Sequence, residues 1–239
     1  MNGYIQKDVR GKLNKLIAYE GLNELGYYTQ IVDGPLVADI EGIYYGNVNW
    51  IDGTAALLGY DTWQKLGEVP NSLRPFAGRE IKLTSLTDAM TQHGKFIKPV
   101  AKFQKQFDGF VNRSQMDSLK VGHITAMGNG DTTEVWVSDY IPIISEWRCF
   151  ILDGECIAAE HYKGNFRKAP NFDVVDAMLK EYDGHQIAYG LDVYIDPNGQ
   201  THLMELNDVM SLGSYGCLPN VIARMLDARW EQIHKQRKL

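Results

Sequence analysis

The feature that most constrains the fold is a pair of apolar runs near the C-terminus, separated by a turn sequence. Residues 191–195 read LDVYI and residues 201–206 read THLMEL, with DPNG between them at 196–199. Proline and glycine between β-branched and aromatic runs are typical of a β-hairpin. The sequence therefore predicts two antiparallel strands whose side chains alternate between two faces.

Three polar side chains interrupt the apolar pattern of this predicted hairpin. Glu205 and Asn207 are two residues apart, so they share a face, and a turn centred near Asn198 places Asp192 opposite them. Two carboxylates and an amide oxygen are hard ligands of the kind that Mg²⁺ takes, with substrate phosphates and water completing its shell. The alternative is a half-solvated hairpin with its polar face outward, and the hairpin alone leaves both interpretations open.

Length, charge and cysteine content narrow the class of protein. The chain has 239 residues, enough for one large domain or two smaller ones with a substantial core. Its net charge of −6 argues against a general surface for nucleic acid or an anionic membrane. Three cysteines without CxxC spacing indicate reduced thiols in a cytoplasmic protein. We expect neither a signal peptide nor a membrane span.

The first part of the chain predicts a small α/β unit. Residues 6–25 have helical apolar spacing, residues 26–32 resemble a strand, and the segment 52–58 begins with a helix-capping signal at Asp52 or Thr54. Its glycines and aromatic residues would pack as a strand and turn, or they would contact a substrate if the rest of the chain forms a fold that binds one at this unit. The candidates for contact are Gly42, Tyr44, Tyr45, Gly46 and Asn47.

Lysines follow the next predicted strand, at residues 94–100. Lys98 lies near the end of this strand, where its ammonium group could contact a phosphate or extend along the surface into solvent. Lys102 and Lys105 lie in a predicted loop at 101–109, and they could contact phosphate or only be solvated. The sequence leaves these alternatives open.

Further strands carry polar residues downstream. A buried-strand pattern over 134–144 is broken by Pro142, which cannot donate a hydrogen bond to a ladder. Residues 146–152 and 155–162 then predict a hairpin around an Asp-Gly turn. Glu146 and Arg148 share a face of the first strand, and one interpretation is a weak surface ion pair.

Taken in order, these motifs resemble the ATP-grasp superfamily. The resemblance rests on FIKP, on the break after VSDYI, on SEWRCFI, on the Asp-Gly hairpin, on the basic loop KGNFRKAP and on LDVYID-PNG-HLMELND. It covers about residues 80–216, with Glu205 and Asn207 as the best local signature. Within the superfamily, the chain is most similar to a clade of small phage and bacterial proteins named for two arginines and a lysine.

The resemblance implies an α+β fold in which two α+β subdomains grip ATP, preceded by a small α/β domain. We therefore expect an N-terminal, substrate-side α/β domain over residues 1–79. The N-terminal ATP-grasp subdomain is expected over residues 80–141. The C-terminal ATP-grasp subdomain, with the metal-binding hairpin, is expected over residues 142–239.

The resemblance also implies which residues bind the nucleotide and metal. Asp192, Glu205 and Asn207 would hold one or two Mg²⁺ ions that bridge the phosphates of ATP, and Lys98 would contact the α- or β-phosphate. Glu146 would accept hydrogen bonds from the ribose hydroxyls. The hinge whose backbone reads adenine would consist of Ser138, Asp139, Tyr140 and Ile141, with Val137 or Ile141 packed on the ring.

Three basic residues are implied as catalytic, namely Arg148, Lys163 and Arg167, which would contact the γ-phosphate or the substrate acyl group. The chain departs from the superfamily at Gly190, because many members place an arginine two positions before the metal-binding aspartate to stabilise the acyl phosphate. We expect Arg148 to supply this charge from a neighbouring strand. The segment after Lys98 also lacks the usual glycine and serine content.

The implied activity is that of an ATP-dependent carbon–nitrogen ligase that uses ATP and Mg²⁺. A small-molecule or peptide carboxylate would be activated as an acyl phosphate and then joined to an amine. His161 is a candidate base for the amine, although a single histidine is often structural. Two alternatives stay open: a phosphotransferase on the same fold, and a non-catalytic nucleotide- or protein-binding accessory protein.

Overall fold

The computed structural model describes residues 1–7, 12–34, 39–60, 69–100, 107–113 and 119–237, which form three β-sheets and six α-helices. The predicted contacts of Lys102 and Lys105 lie outside the described residues. Within these ranges, no helix combines the length and the apolar character needed to cross a membrane.

The first sheet is parallel and has three strands in the order β2-β1-β3. Its elements are β1 (Asn2–Gln6), α1 (Lys12–Glu24), β2 (Tyr28–Val32) and β3 (Ile43–Tyr45), followed by α2 (Val48–Leu57). The predicted helix over 6–25 was too long, because Gln6 belongs to the central strand. The start of the next helix was also misplaced: Asn47 caps α2 by accepting a hydrogen bond from the Trp50 amide.

The second sheet has four antiparallel strands in the order β4-β7-β5-β6. Its elements are β4 (Ile81–Ser85), α3 (Leu86–Met90), β5 (Lys95–Pro99), β6 (Phe110–Val111), α4 (Leu119–Ala126) and β7 (Glu134–Asp139). Ser85 caps α3, and β7 ends before Pro142 as predicted. An apolar cluster that includes Leu86, Ile97 and Val135 packs this sheet against its helices.

The third sheet has four antiparallel strands in the order β11-β10-β8-β9. Its elements are β8 (Ser145–Leu152), β9 (Glu155–Gly164), α5 (Phe172–Glu181), β10 (Ala188–Ile195), β11 (Thr201–Asp208) and α6 (Pro219–Arg237). Both predicted hairpins are confirmed. In the first, Asp153 and Gly154 have φ values of 52° and 76°, as a type I′ turn requires.

The third sheet is covered on both faces. One face shares an apolar core with the first sheet and α6, in which Phe150, Tyr44 and Trp230 are fully buried. The other face packs against α5 through Val175 and Met178. The three sheets lie within residues 2–45, 81–139 and 145–208, and the domain boundaries at residues 79 and 141 stay predictions.

Two of the aromatic residues considered as substrate contacts are core residues. Tyr44 and Tyr45 are buried, and the Tyr45 hydroxyl donates to the carbonyl of Leu212 at 2.5 Å. Burial in the shared core explains the aromatic pattern of β3. The structure therefore favours the packing interpretation for these two residues.

We predict that Gly21→Ala destabilises the protein while Gly53→Ala does not. A Cβ at Gly21 would lie 2.9 Å from Ala223 Cβ and would also overlap the Pro219 carbonyl of α6, whereas a Cβ at Gly53 would meet nothing within 4 Å. Overpacking costs roughly 1–3 kcal/mol, and replacing a glycine inside a helix gains roughly 0.5–1 kcal/mol. Urea unfolding measures both variants, and equal midpoints would contradict the close packing of α1 on α6.

Candidate nucleotide and metal site

A row of charged side chains crosses the third sheet at right angles to its strands. Glu205 on β11 is opposite Asp192 on β10, Asp192 is opposite Arg148 on β8, and Arg148 is opposite Glu160 on β9. Directly opposed residues project from the same face of a sheet. We call these four residues the charged row.

Arg148 and Asp192 form a buried bidentate ion pair in the middle of the charged row. Arg148 Nε donates to Asp192 Oδ1 at 2.7 Å, and Nη2 donates to Oδ2 at 2.6 Å. The two residues are only 5% and 2% exposed. Arg148 Nη1 also donates to the carbonyl of Gly213 at 3.1 Å. The interpretation of Arg148 as part of a surface pair with Glu146 is therefore wrong.

Lys98, on β5 of the second sheet, reaches the end of the charged row that is formed by Glu205. Its ammonium group forms a hydrogen-bonded ion pair with Glu205 Oε2. Burial acts to raise the pKa of Glu205, but Lys98 and Asn207 outweigh it, and the net pKa is lowered. At Asp192, burial outweighs Arg148 and raises the pKa of the carboxyl to about 6. The two carboxylates thus have different electrostatic environments although they are adjacent.

The predicted metal ligands converge. Asn207 Nδ2 donates to Asp192 Oδ2 and to Glu205 Oε1, at 3.2 Å in both cases. Rotating the Asn207 amide by 180° would direct its oxygen toward the space between the two carboxylates. Each carboxylate oxygen also has a second lone pair that could bind a metal ion. These oxygen donors fit Mg²⁺. Among the described residues, no group of three or more His, Cys, Asp or Glu could hold a metal.

The packing around Gly190 explains why no side chain is present at this position. Gly190 lies opposite Asn207. A Cβ at Gly190 would lie 2.6 Å from Leu212 Cδ1 and 3.4 Å from Arg148 Nε. The space in front of Gly190 is therefore filled by Leu212 and by the guanidinium of Arg148.

A cleft of about 460 Å³ is lined by residues of both the second and the third sheet. This volume lies within the range of small-molecule and cofactor sites. Phe96 and Val111 contribute from the second sheet, and Met204 contributes from β11. The predicted site residues that line the cleft are Ser138, Asp139, Tyr140, Ile141, Glu146 and Lys163.

The structure separates the two candidates for packing on an adenine ring. Ile141 lines the cleft. Val137 is 4% exposed and belongs to the apolar cluster of the second sheet, together with Leu86 and Ile97. Because side chains alternate along β7, Val137 faces the helices while Ser138 faces the cleft. Of the two alternatives, the structure therefore favours Ile141, and the contact with the ring stays a prediction.

The other predicted catalytic residues differ in their surroundings. Lys163 is opposite Glu146, and its Nζ lies 2.7 Å from Glu146 Oε1 at the edge of the cleft. Arg167 is exposed, with its backbone amide bonded to the Asn165 side chain and its guanidinium over the ring of Phe166. None of these contacts brings Arg167 to the charged row. His161 packs on Trp147, on the face of the sheet opposite Arg148, so it does not fit the role of base.

Several residues at the site were missed from the sequence. Arg79 lines the cleft and donates to the carbonyls of Leu203 and Met204 at 3.2 Å. Tyr162 and Tyr215 stack with their ring centroids 4.7 Å apart, and Arg148 Cζ lies 4.8 Å from the Tyr215 centroid. Arg79 and Tyr215 stand outside periodic patterns, and Tyr162 belongs to a predicted strand whose neighbours across the loop are remote in sequence, so no local signal could have identified these contacts.

Comparison with known proteins gives a consistent result. The model of an ATP-grasp domain family, the second family of the clade named for two arginines and a lysine, matches residues 76–225. A search of curated proteins found no match. Among solved structures, a D-cycloserine synthetase is similar at 12% identity and a TM-score of 0.63, over 98% of this chain and 100% of that chain.

Two further structures show the same likeness in fold. An ATP-grasp RimK domain protein from Sphaerobacter thermophilus is 13% identical with a TM-score of 0.60, over 95% of this chain and 99% of that one. A D-alanine–D-alanine ligase from Bacillus anthracis, solved with ATP, is 13% identical with a TM-score of 0.53, over 98% of both chains. At such identities the similarity establishes the fold.

We predict that Arg148→Met destabilises the protein by about 3–5 kcal/mol, because it leaves Asp192 buried without its partner. Adding Asp192→Asn should restore much of this loss. Lys82→Met is the matched control, since Lys82 pairs with Glu80 on the surface and both side chains are about two-thirds exposed. Urea unfolding gives the three values, and a double variant no more stable than the single one would argue against the pair.

Proposed function

Because the chain belongs to the ATP-grasp family, in the second family of the two-arginine, one-lysine clade, we propose that it is an ATP- and Mg²⁺-dependent carboxylate–amine ligase. The observation that carries the proposal is the convergence of Asp192, Glu205 and Asn207 next to Lys98 and a nucleotide-sized cleft. The similar structures include ligases, one of them solved with ATP, which supports ATP-dependent ligase activity.

The cleft suggests a position for each part of ATP. The adenine would lie against Ile141, with the backbone of residues 138–141 available to its polar edge. Glu146, at the start of β8, would accept from the ribose hydroxyls. The phosphates would then extend toward Lys98, which would exchange Glu205 for a phosphate oxygen. Lys163, more exposed, would contact the γ-phosphate or the acyl group.

The proposed reaction has two steps. An oxygen of the substrate carboxylate bonds to the γ-phosphorus while the bond to the bridging oxygen breaks, and ADP leaves with that electron pair. The amine nitrogen then bonds to the acyl carbon, the acyl C–O bond breaks, and phosphate leaves with the electron pair and one amine proton. The protein positions the groups and stabilises charge, and it forms no covalent bond itself.

The charged row would supply this electrostatic stabilisation. Mg²⁺, when bound at Asp192, Glu205 and Asn207, would neutralise charge on the phosphates. Arg148 is held at the centre of the row by Asp192 and Gly213, with guanidinium N–H groups left over for a substrate oxygen. We propose that it replaces the arginine absent at Gly190. The free thiols of Cys149, Cys156 and Cys217 support a reducing, cytoplasmic setting.

We predict that Mg²⁺-ATP raises the midpoint of thermal unfolding in the wild type and much less in Glu205→Gln. A ligand that binds only the native state stabilises by about 2.7 kcal/mol at a hundredfold excess over its Kd. Glu155→Gln, on the exposed start of β9, is the control and should behave like the wild type. The proposal fails if no nucleotide shifts the wild-type midpoint.

We predict that Ile141→Ala lowers the affinity for Mg²⁺-ATP several-fold with little loss of stability, because Ile141 lines the cleft. Val137→Ala should do the opposite, costing about 1–3 kcal/mol of stability as a buried truncation and leaving affinity unchanged. Calorimetric titration and urea unfolding measure the two quantities. Equal affinity losses in both variants would contradict this assignment of the cleft.

Arg148→Ala should abolish most turnover, measured as ADP release across carboxylic acids and amines. Hydroxylamine separates the reaction classes, since it traps an acyl phosphate as a hydroxamate and leaves an ordinary phosphate ester intact. Full turnover with unchanged ATP affinity would refute the role of Arg148. A hydroxylamine-stable phosphorylated product would favour a phosphotransferase instead.

A further inference from the structure

Glu160 is the unbalanced charge at one end of the charged row. Lys98 pairs with Glu205, and Arg148 pairs with Asp192. Glu160 is directly opposite Arg148, yet it has no ion pair or hydrogen bond within the described parts of the chain. Lys98 and Arg148 together balance the charges of Glu205 and Asp192. The negative charge of Glu160, at the end of the row remote from Lys98, is left unbalanced.

The loop that follows β11 lies over Glu160. A Cβ at Gly216 would lie 4.0 Å from Glu160 Oε2. Burial and then the charge of Glu160 raise the pKa of the Cys217 thiol to about 12. The carboxylate of Glu160 is therefore directed toward residues 215–217 rather than into the bulk solvent.

Tyr162 follows Glu160 by two residues on β9, and Tyr215 precedes Gly216 in the loop over this carboxylate. Tyr215 is 46% exposed and has a backbone φ of 49°, in the left-handed region that non-glycine residues seldom adopt. Its ring stacks on Tyr162, and Arg148 lies within cation–π distance of it. A non-glycine residue keeps a left-handed backbone conformation only where the surrounding contacts impose it.

Contacts with α1, β3 and β8 fix the loop in this position. Ser214 donates to Asn14 Oδ1 from both its amide, at 3.0 Å, and its hydroxyl, at 2.8 Å. The carbonyl of Leu212 accepts from Tyr45, and that of Gly213 accepts from Arg148. Glu160 and the two rings are thus held in a defined arrangement.

We propose that Glu160, Tyr162 and Tyr215 form the subsite for the amine substrate, and that this substrate approaches as a primary ammonium ion. It would transfer one proton to the Glu160 carboxylate, which frees the lone pair of the nitrogen for the bond to the acyl carbon. The inference rests on the proposed ligase function. A carboxylate that has no partner among the described residues, next to the partly exposed Tyr215, favours a cation. The same charge disfavours an acceptor that carries a carboxylate next to its amine. The acyl phosphate would form at the Glu205 end of the row, on the other side of Arg148.

The test uses n-butylammonium as the probe and 1-butanol as its uncharged counterpart. Binding to the full chain is measured by saturation-transfer NMR with Mg²⁺ and a non-hydrolysable ATP analogue present. We expect n-butylammonium to bind the wild type more tightly than 1-butanol. In Glu160→Gln, the affinity for n-butylammonium should fall about fivefold or more, while the affinity for 1-butanol stays unchanged. Tyr215→Leu, at an exposed position, should lose about threefold.

Glu155→Gln is the matched control, because it makes the same chemical change on the same strand, at the exposed end that follows the Asp-Gly turn. Equal amine affinity in the wild type and Glu160→Gln, with normal nucleotide binding, would overturn the subsite while leaving the proposed function intact. Failure of the wild type to bind the nucleotide analogue would instead contradict the proposed function, and the subsite would fall with it.

Discussion

The buried pair of Arg148 and Asp192 is the interaction on which the geometry of the site depends. Removing two charges from water is costly, and the attraction between them compensates only when the remaining donors are also satisfied. Here the guanidinium meets both carboxylate oxygens and the Gly213 carbonyl. The pair therefore ties β8, β10 and the loop after β11 to one another, and any displacement of these elements would expose an uncompensated charge.

The same principle applies across the site, because each acid assigned to metal or ribose binding already has a basic partner. Lys98 neutralises Glu205, Arg148 neutralises Asp192, and Lys163 neutralises Glu146. Carboxylates can then lie close together without strong mutual repulsion. These partners are also the groups that a polyphosphate would attract, so the arrangement is electrostatically organised before a nucleotide binds.

The sequence was sufficient where structure is set by local pattern. Alternation and turn chemistry located both hairpins. The register at the turn alone would pair Asp192 with Met204, and an irregularity between Asp192 and Val193 shifts the pairing so that Asp192 lies opposite Glu205. The sequence was insufficient where neighbours are remote. That β8 lies beside β10 is a property of the whole sheet, so the partner of Arg148 was not readable. Likewise, β1 is only five residues long and comes directly before a helical pattern, so the sequence did not reveal it as a strand. The direction in which Val137 points depends on which side of β7 the helices occupy, and the sequence does not show this.

The ion pair of Lys98 and Glu205 joins the second sheet to the third in a small pocket next to the cleft. A polyphosphate that attracts Lys98 would release a tether between the two walls as it enters. When Lys98 exchanges Glu205 for a phosphate oxygen, the ligand binds and the two sheets become free to move relative to each other in the same step. Because these side chains are partly accessible to solvent, dissolved salt would loosen the tether without any ligand, so ionic strength would influence how often the cleft stands open.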